Sequence, residues 1–181
     1  MRRKAEFKNG EHYHVYNRGV DKRRIFLDDR DYRRFHRSLS LFNDVAASFD
    51  TGISQLRKQD IDLLIQKARE HRREPLVDIL SFILMPNHFH LLIRQCAEDG
   101  ISRFLHRVAK GYSRYFNLRH GRTGTLFEGT FKAVHIDHES YLAHLPRYIH
   151  LNALDVTMPQ WRKGKVKNWT DARRALDQYQ W

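Results

Sequence analysis

The sequence predicts an α+β fold in which helices pack on the faces of a mainly antiparallel central sheet. Segments typical of strands and helices follow one another in the order strand, helix, strand, strand, helix, strand, helix. Two strand-like runs, residues 76–85 and 88–95, are separated only by Pro86-Asn87, a turn signal that favours antiparallel pairing. At 181 residues the chain has room for one sizeable core, so we expect a single domain.

The first part of the chain adds one strand and two helical segments. Residues 12–17 are rich in Tyr, Val and His, which favours a strand. An amphipathic helix follows, with Asp28 or Asp29 as its N-cap. Its apolar residues recur at spacings of three and four: Tyr32, Phe35, Leu39 and Phe42. Residues 47–75 are polar and charged with a weaker helical pattern, and we interpret them as a helical insertion.

The later part of the chain predicts a second helix, a loop and a fourth strand. The helix covers residues 102–117, the glycine-containing loop 120–125 and the strand 131–137. Residues 156–181 form a basic extension that contains tryptophan, with a short helix over 171–179.

Between the fourth strand and this extension, residues 139–155 are helical in pattern. Asp137 is the expected N-cap. Pro146 lacks an N–H and clashes with the preceding turn, so we expect a short helix, a kink and a new helical start near Arg147.

Charge indicates a nucleic-acid partner. Lys and Arg number 33 against 21 Asp and Glu, giving a formal charge of +12 and a pI near 10.1. A membrane surface is less favoured, because no Lys-rich amphipathic segment carries Trp and Leu opposite its charges. Cys96 is the only cysteine, which excludes an intramolecular disulfide and a cysteine zinc cluster. With no signal-peptide core and no apolar run near ~20 residues, we expect a cytoplasmic, nucleoid-associated protein.

The strand over 88–95 begins with two histidines that flank one phenylalanine. Side chains alternate along a strand, so His88 and His90 project from one face and converge on one point. Neutral imidazole is the commonest protein metal ligand, so the pair predicts a divalent cation held against the sheet. A second pair, His12 and His14, has the same spacing, and we interpret these two as surface or hydrogen-bonded histidines, with His14 supporting the sheet.

Tyr148 and Asn152 are four residues apart, so on a helix they share one face and could approach the predicted cation together. This set suits phosphodiester chemistry, in which the cation stabilises developing charge and a phenolate attacks phosphorus. Tyr112, Tyr115 and Tyr141 are the rival nucleophiles. The first two lie among the apolar positions of their helix and are better assigned to packing.

Basic side chains follow one face of the helix over 102–117, namely Arg103, Arg107, Lys110 and Arg114. All four side chains are positively charged, which favours contacts with phosphates. An ordinary solvated helix face would carry carboxylates at these spacings to pair with them. Further candidate DNA contacts are Arg122, Lys132 and Arg147. Aromatic residues that either stack on unpaired bases or pack in the core are Phe127, Trp161 and Trp169.

With these residues in view, the chain closely resembles the single-tyrosine HUH transposases, and particularly the REP-associated tyrosine transposases. Four blocks carry the resemblance in the same order along the chain: residues 13–19, 85–92, 124–129 and 148–152. The resemblance implies an HUH, ferredoxin-like fold over residues 1–155. It also implies single-stranded DNA as substrate, with hairpins formed by element ends or REP-like palindromes.

The resemblance also assigns the site. His88, His90 and Asn152 would bind Mg or Mn, and Tyr148 would cleave a strand to leave a 5′-phosphotyrosine and a free 3′-OH. Ligand chemistry alone would favour zinc or another late transition metal, so the choice of Mg or Mn rests on the resemblance. Members of the family act as monomers or homodimers, so whether Tyr148 serves the histidines of its own chain is open at this point.

Three departures from the family pattern lie near the site: Thr130 replaces a usual Arg, Ala153 a usual Pro, and Pro146 a usual helix former. The ending, residues 179–181, resembles the start of a longer family motif, so the extension is expected to be short relative to the family. The alternative function is therefore a domesticated protein that binds hairpin DNA or RNA and regulates without cutting. A replication initiator or relaxase is a third, less favoured interpretation.

Overall fold

A computed structural model of the protein describes residues 6–46, 74–158, 161–163 and 168–179. The helical insertion predicted for residues 47–75 lies outside these ranges, except for its last two residues.

The centre of the described structure is a four-stranded antiparallel sheet with strand order β2-β3-β1-β4. Its strands are β1 His12–Arg18, β2 Val77–Met85, β3 His88–Gln95 and β4 Lys132–Ile136. Every predicted strand is confirmed, and the tight Pro86-Asn87 turn pairs β2 with β3 as expected. The α+β class is confirmed as well.

Two helices, α1 Asp29–Leu41 and α2 Gly100–Arg119, cover one face of the sheet. The Asp28 side chain accepts hydrogen bonds from the N–H groups of Arg30 and Asp31, which confirms it as the N-cap of α1. The apolar stripes of both helices bury against the odd-numbered residues of β1 and β3 in one large core. Residues of that core include Val15, Phe35, Phe89, Leu91, Phe104 and Tyr112.

The opposite face is covered by α3 Glu139–Leu151, which continues into the short helix α4 Leu154–Thr157. A smaller apolar cluster joins this helix to the sheet, and it contains Ile83, Met85, Leu92, Ile136, Leu145, Ile149 and Ala153. The last helix, α5 Trp169–Gln178, confirms the predicted C-terminal helix and packs its Leu176 against this cluster. The sheet is thus enclosed from both sides.

Two expectations at α3 are wrong. Pro146 does not break the helix, which runs through it from Glu139 to Leu151. The buried side chains of Leu145 and Ile149 anchor α3 to the sheet at and beyond the proline, so packing outweighs one lost backbone hydrogen bond. The N-cap is His138 in place of Asp137, and its side chain makes no capping bond.

None of the helices within the described ranges combines the length and the apolar character needed to cross a bilayer.

Candidate active site

Strand alternation brings the two predicted histidines together on the face that α3 covers. His88 stands opposite Arg18 of β1, and His90 stands opposite Tyr16. The centroids of the two imidazole rings are 5.1 Å apart, and the ring planes are nearly perpendicular at 85°. The alternation of side chains along β3 therefore places both rings side by side, as predicted from the sequence.

A third histidine, His14, joins this pair from the neighbouring strand β1. Its Nε2 lies 2.9 Å from Nδ1 of His90, and the two rings stack with centroids 5.1 Å apart. His12 lies two residues away, opposite Arg94 and Ile136. The second His-x-His pair thus contributes one residue to the site, and that residue supports His90.

All three imidazoles are held in the neutral form. Burial lowers the pKa of His90 to about 3, with the neighbouring His88 as a further cause. Burial likewise lowers the pKa of His88 and that of His14. A neutral ring keeps one nitrogen lone pair at physiological pH, which is the form that binds a metal ion.

Tyr148 projects from α3 toward the same histidines. Its ring centroid lies 6.3 Å from that of His90 and 6.4 Å from that of His14, and it meets both rings edge-on. The next residue, Ile149, is fully buried against the sheet and fixes this part of α3, whereas Tyr148 remains 40% exposed. A phenol that is both anchored and accessible therefore stands beside the histidines of its own chain.

Asn152 follows Tyr148 by one turn and is 2% exposed. Its Nδ2 donates to the backbone carbonyl of Tyr148 at 3.0 Å, and its Oδ1 accepts a short hydrogen bond from Nη2 of Arg162. The amide oxygen thus lies at the site and is engaged by a guanidinium.

Arg162 is the main feature of the site that the sequence did not predict. It lies in the 3₁₀ turn Trp161–Lys163, and its Cζ sits 5.4 Å from the ring centroid of Tyr148. Asp155 accepts from Arg162 at 2.9 and 2.8 Å and from Trp161 Nε1 at 2.6 Å. The hydrogen bond to Asp155 raises the pKa of Arg162. Burial opposes ionisation of Asp155, but the bonds from Arg162 and Trp161 outweigh it and lower the pKa of that carboxyl.

The predicted DNA-contacting stripe lies on the other side of the molecule, because α2 packs on the opposite face of the sheet from Tyr148. Arg103 donates to the carbonyl of Val45 at 3.1 Å, and Arg107 donates to that of Asp44 at 2.5 Å. These two guanidiniums therefore hold the chain that follows α1. Lys110 and Arg114 are exposed on the same helix.

The remaining predicted DNA contacts have different surroundings. Arg122 bonds Asn117 Oδ1 at 3.1 Å and lies over the ring of Phe116. Lys132 is paired with Tyr16 across β1 and β4, so it emerges on the face of the site, and it is exposed. Arg147 is exposed next to Tyr148.

The rival tyrosines have packing roles or lie elsewhere. Tyr112 is fully buried and donates to the carbonyl of Ile25 at 2.6 Å, and Tyr115 donates to Asp31 at 3.1 Å, so their assignment to packing is confirmed. Tyr141 is exposed two turns before Tyr148 on α3. Of the aromatic residues, Phe127 belongs to the core and Trp169 is 73% exposed.

The donor set suits a cation bound by two imidazoles and an amide oxygen. Within the described ranges, no three His, Cys, Asp or Glu side chains are grouped so that they could hold a metal ion. The set at this site is instead His88 and His90, whose Nε2 atoms are not used in the bonds to Asn87 and His14, together with Asn152, one turn after Tyr148. The histidine pair fits a metal ion, and the Asn152 oxygen has a second lone pair for one, although the positive charge of Arg162 beside it opposes a cation there.

Comparison with known proteins gives the family. The model of the family described as IS200-like transposase matches residues 50–152, which is more than half of the chain. The chain belongs to the IS200-like transposase family. The matched segment contains His88, His90, Tyr148 and Asn152, whereas His14 and Arg162 lie outside it.

Solved structures show that this IS200-like transposase shares its fold with a REP-associated tyrosine transposase that was determined bound to a REP hairpin. The two chains are 15% identical, the match covers 94% of this chain and 79% of the other, and the TM-score is 0.54. A putative transposase from Deinococcus radiodurans is 14% identical, with 82% of this chain and 95% of the other covered and a TM-score of 0.43. No curated protein matches the chain.

Proposed function

We propose that this transposase cuts and rejoins single-stranded DNA beside hairpins through a 5′-phosphotyrosine on Tyr148. The observation that carries the proposal is the accessible phenol of Tyr148 beside the His90 ring of the same chain, with centroids 6.3 Å apart. A nucleophile needs both access to substrate and a fixed position near the group that stabilises charge. Tyr148 has both.

His88 and His90 would hold a divalent cation, Mg²⁺ or Mn²⁺, and Asn152 would complete the protein ligands. When bound, the cation would polarise a phosphoryl oxygen and stabilise the charge that develops there. His90 is buried and His88 half-buried, and the lowered pKa of each ring favours the neutral form, which supports this role. Imidazole ligands alone do not select Mg²⁺ or Mn²⁺, so that choice rests on the family.

The residues of this chain would then divide the reaction as follows. The Tyr148 oxygen forms the new bond to phosphorus, the phenolic proton is released, and the 3′ oxygen of the strand leaves as a free hydroxyl. The guanidinium of Arg162, 5.4 Å from the Tyr148 ring, places positive charge beside the forming phosphotyrosine. The reverse attack by a 3′-OH rejoins strands without an external energy source.

Hairpin-bearing DNA is the proposed partner. The solved relative was determined with a REP hairpin, and the formal charge of +12 suits any nucleic acid. Exposed Lys132 and Arg147 stand close to the site and are the proposed contacts to the strand that enters it. Tyr148 lies beside the histidines of its own chain, which supports cleavage by a monomer.

A second function, hairpin binding without cutting, is favoured by one observation. Arg162 donates to the oxygen of Asn152, and a guanidinium that stayed there would repel a cation from its third ligand. Such a protein would hold structured DNA or RNA and regulate.

A denaturing gel separates the two functions. The protein is incubated with a labelled hairpin that carries single-stranded flanks, in Mn²⁺, and we expect a slow-migrating covalent species. Tyr148→Phe removes only the phenolic oxygen, so we expect it to abolish this species and to change hairpin affinity less than about twofold. Tyr141→Phe on the same helix is the matched control and should form adduct normally. Salt-sensitive binding without adduct in the wild type would favour the regulator, and adduct in Tyr148→Phe would remove Tyr148 from its role.

A further inference from the structure

The turn between β2 and β3 carries an amide that joins His88 to a distant loop. Oδ1 of Asn87 lies 2.7 Å from Nδ1 of His88, and Nδ2 of Asn87 donates to the carbonyl of Lys22 at 3.2 Å. Asn87 is neither a candidate ligand nor a candidate nucleophile, yet it touches one of the two imidazoles proposed to bind metal.

The two partners of Asn87 determine which way its amide points. A backbone carbonyl can only accept, so the Nδ2 group must face Lys22 and Oδ1 must face His88. Since Oδ1 also only accepts, the proton between it and the ring must sit on Nδ1 of His88. The lone pair of His88 is therefore on Nε2, the nitrogen left for a ligand.

The loop that supplies the Lys22 carbonyl is built to hold this position. Asp21 and Lys22 both have positive φ, 54° and 57°, a conformation that non-glycine residues rarely adopt. The Gly19 N–H donates to the carbonyl of Asn87 at 2.9 Å, and the Ile25 N–H donates to that of Pro86 at 2.8 Å. Hydrogen bonds before and after Asp21 and Lys22 thus hold the loop against the β2–β3 turn.

Gly19 shows how little freedom this loop has. A Cβ at Gly19 would lie 2.3 Å from the carbonyl oxygen of Arg23 and 2.8 Å from Cγ2 of Ile25. The two ends of the loop therefore pack closely on each other, and the hydrogen bonds from Gly19 and Ile25 to the turn place the Lys22 carbonyl within reach of the Asn87 amide.

We propose that Asn87 is a positioning residue that fixes the tautomer and the orientation of His88, and that the backbone of the Asp21-Lys22 loop fixes Asn87 in turn. The consequence for metal binding rests on the proposed function of His88 and His90. A partner that orients a metal-binding imidazole typically contributes 10- to 100-fold in affinity.

Two variants in the metal-free protein test the tautomer directly by ¹⁵N NMR of the histidine rings. We expect the wild type to carry the His88 proton on Nδ1, and Asn87→Leu, which has similar volume but no polar atoms, to show a mixture of tautomers. Lys22→Ala keeps the backbone carbonyl and is the matched control, so its His88 signals should match the wild type. A proton on Nε2 in the wild type, or an unchanged His88 in Asn87→Leu, would overturn the proposal, and the wild-type result alone can do so.

Manganese titration of the same proteins measures the consequence. We expect Asn87→Leu to bind Mn²⁺ roughly 10- to 100-fold more weakly than the wild type and Lys22→Ala to bind it equally. Equal affinity of Asn87→Leu and wild type would contradict the role of Asn87 in metal binding. If the wild type itself binds no Mn²⁺, the proposed metal centre fails, while the NMR result still decides whether Asn87 positions His88.

Discussion

At the scale of single residues, the site combines groups that sequence patterns predict with groups that they do not predict. His88 and His90 follow from the period of a strand, and Tyr148 with Asn152 follows from the period of a helix, so local patterns predict both pairs. His14 meets His90 across 76 residues of sequence, and Arg162 arrives from the C-terminal extension. Those contacts depend on strand register and on tertiary packing, which local sequence patterns do not predict.

In the proposed site, the positive charge of Arg162 beside Asn152 Oδ1 would oppose a cation at the same oxygen. Its removal frees Oδ1, so we expect Arg162→Ala to tighten Mn²⁺ binding by roughly 3- to 10-fold, the equivalent of one modest hydrogen bond. Lys163→Ala, an exposed cation in the same turn, is the control and should leave the dissociation constant unchanged. Unchanged or weaker Mn²⁺ binding in Arg162→Ala would contradict the opposition between Arg162 and the cation.

Burial of His90 makes the fold sensitive to acid. In the folded protein this ring stays neutral until the pH nears 3, whereas in the unfolded chain it takes up a proton near 6.5. The unfolded chain therefore gains a proton that the folded protein does not as the pH falls below 6.5. The free energy of unfolding falls with it, whereas above pH 6.5 this loss is absent. Between pH 7.5 and pH 5 we expect the free energy of unfolding to fall by about 2 kcal/mol more in the wild type than in His90→Gln. Urea titration with a chelator present measures this, and equal falls would contradict it.

At the scale of secondary-structure elements, α3 shows tertiary packing overriding a local signal. Pro146 predicts a break, but the apolar side of the helix, with Leu145 and Ile149, holds it to the sheet as one unit. The proline therefore remains as a local cost inside a helix that other contacts maintain.

Replacing this proline should stabilise the protein. Pro146→Ala restores one backbone N–H, and although alanine loosens the unfolded chain, we expect the free energy of unfolding to rise by about 1 to 2 kcal/mol. Urea denaturation measures the change. A decrease would mean that the proline ring contributes more through packing than its missing hydrogen bond costs.

For helix α2, the predicted helix and its basic stripe are confirmed, but the function of the stripe is not tested. The helix forms as predicted, and its basic stripe exists. Arg103 and Arg107 nevertheless bond the carbonyls of Val45 and Asp44, which gives half of the stripe a structural partner. Contact of this stripe with DNA stays a prediction.

At the scale of the whole molecule, the sequence predicts the class of fold better than its topology. The four strands and the helices α1, α2, α3 and α5 were predicted from local patterns, and the β2-β3 pair from its short turn, whereas the separate helix α4 and the 3₁₀ turns were not. Local patterns did not predict the order β2-β3-β1-β4, because the pairing of β1 with β3 joins strands that are far apart in sequence. That pairing is also what brings His14 to His90.

The salt dependence of hairpin binding can show which face of the molecule contacts the DNA. We expect the double variant Lys132→Gln, Arg147→Gln, which changes the face of the site, to weaken hairpin binding and to reduce the slope of affinity against salt by about 2. The matched control is Lys110→Gln, Arg114→Gln on α2, with the same change in charge on the opposite face. A larger effect of the α2 variant would place the DNA on the predicted stripe instead.

The central claim is that one chain carries the complete active site, with Tyr148 beside its own histidines. Mixing two inactive variants, Tyr148→Phe and His88→Ala, with a labelled hairpin and Mn²⁺ tests it most directly. Because each chain then has one defect in its own site, we expect no covalent adduct in the mixture, while the wild type forms one. Adduct in the mixture would mean that Tyr148 serves the histidines of another subunit, and it would contradict this account.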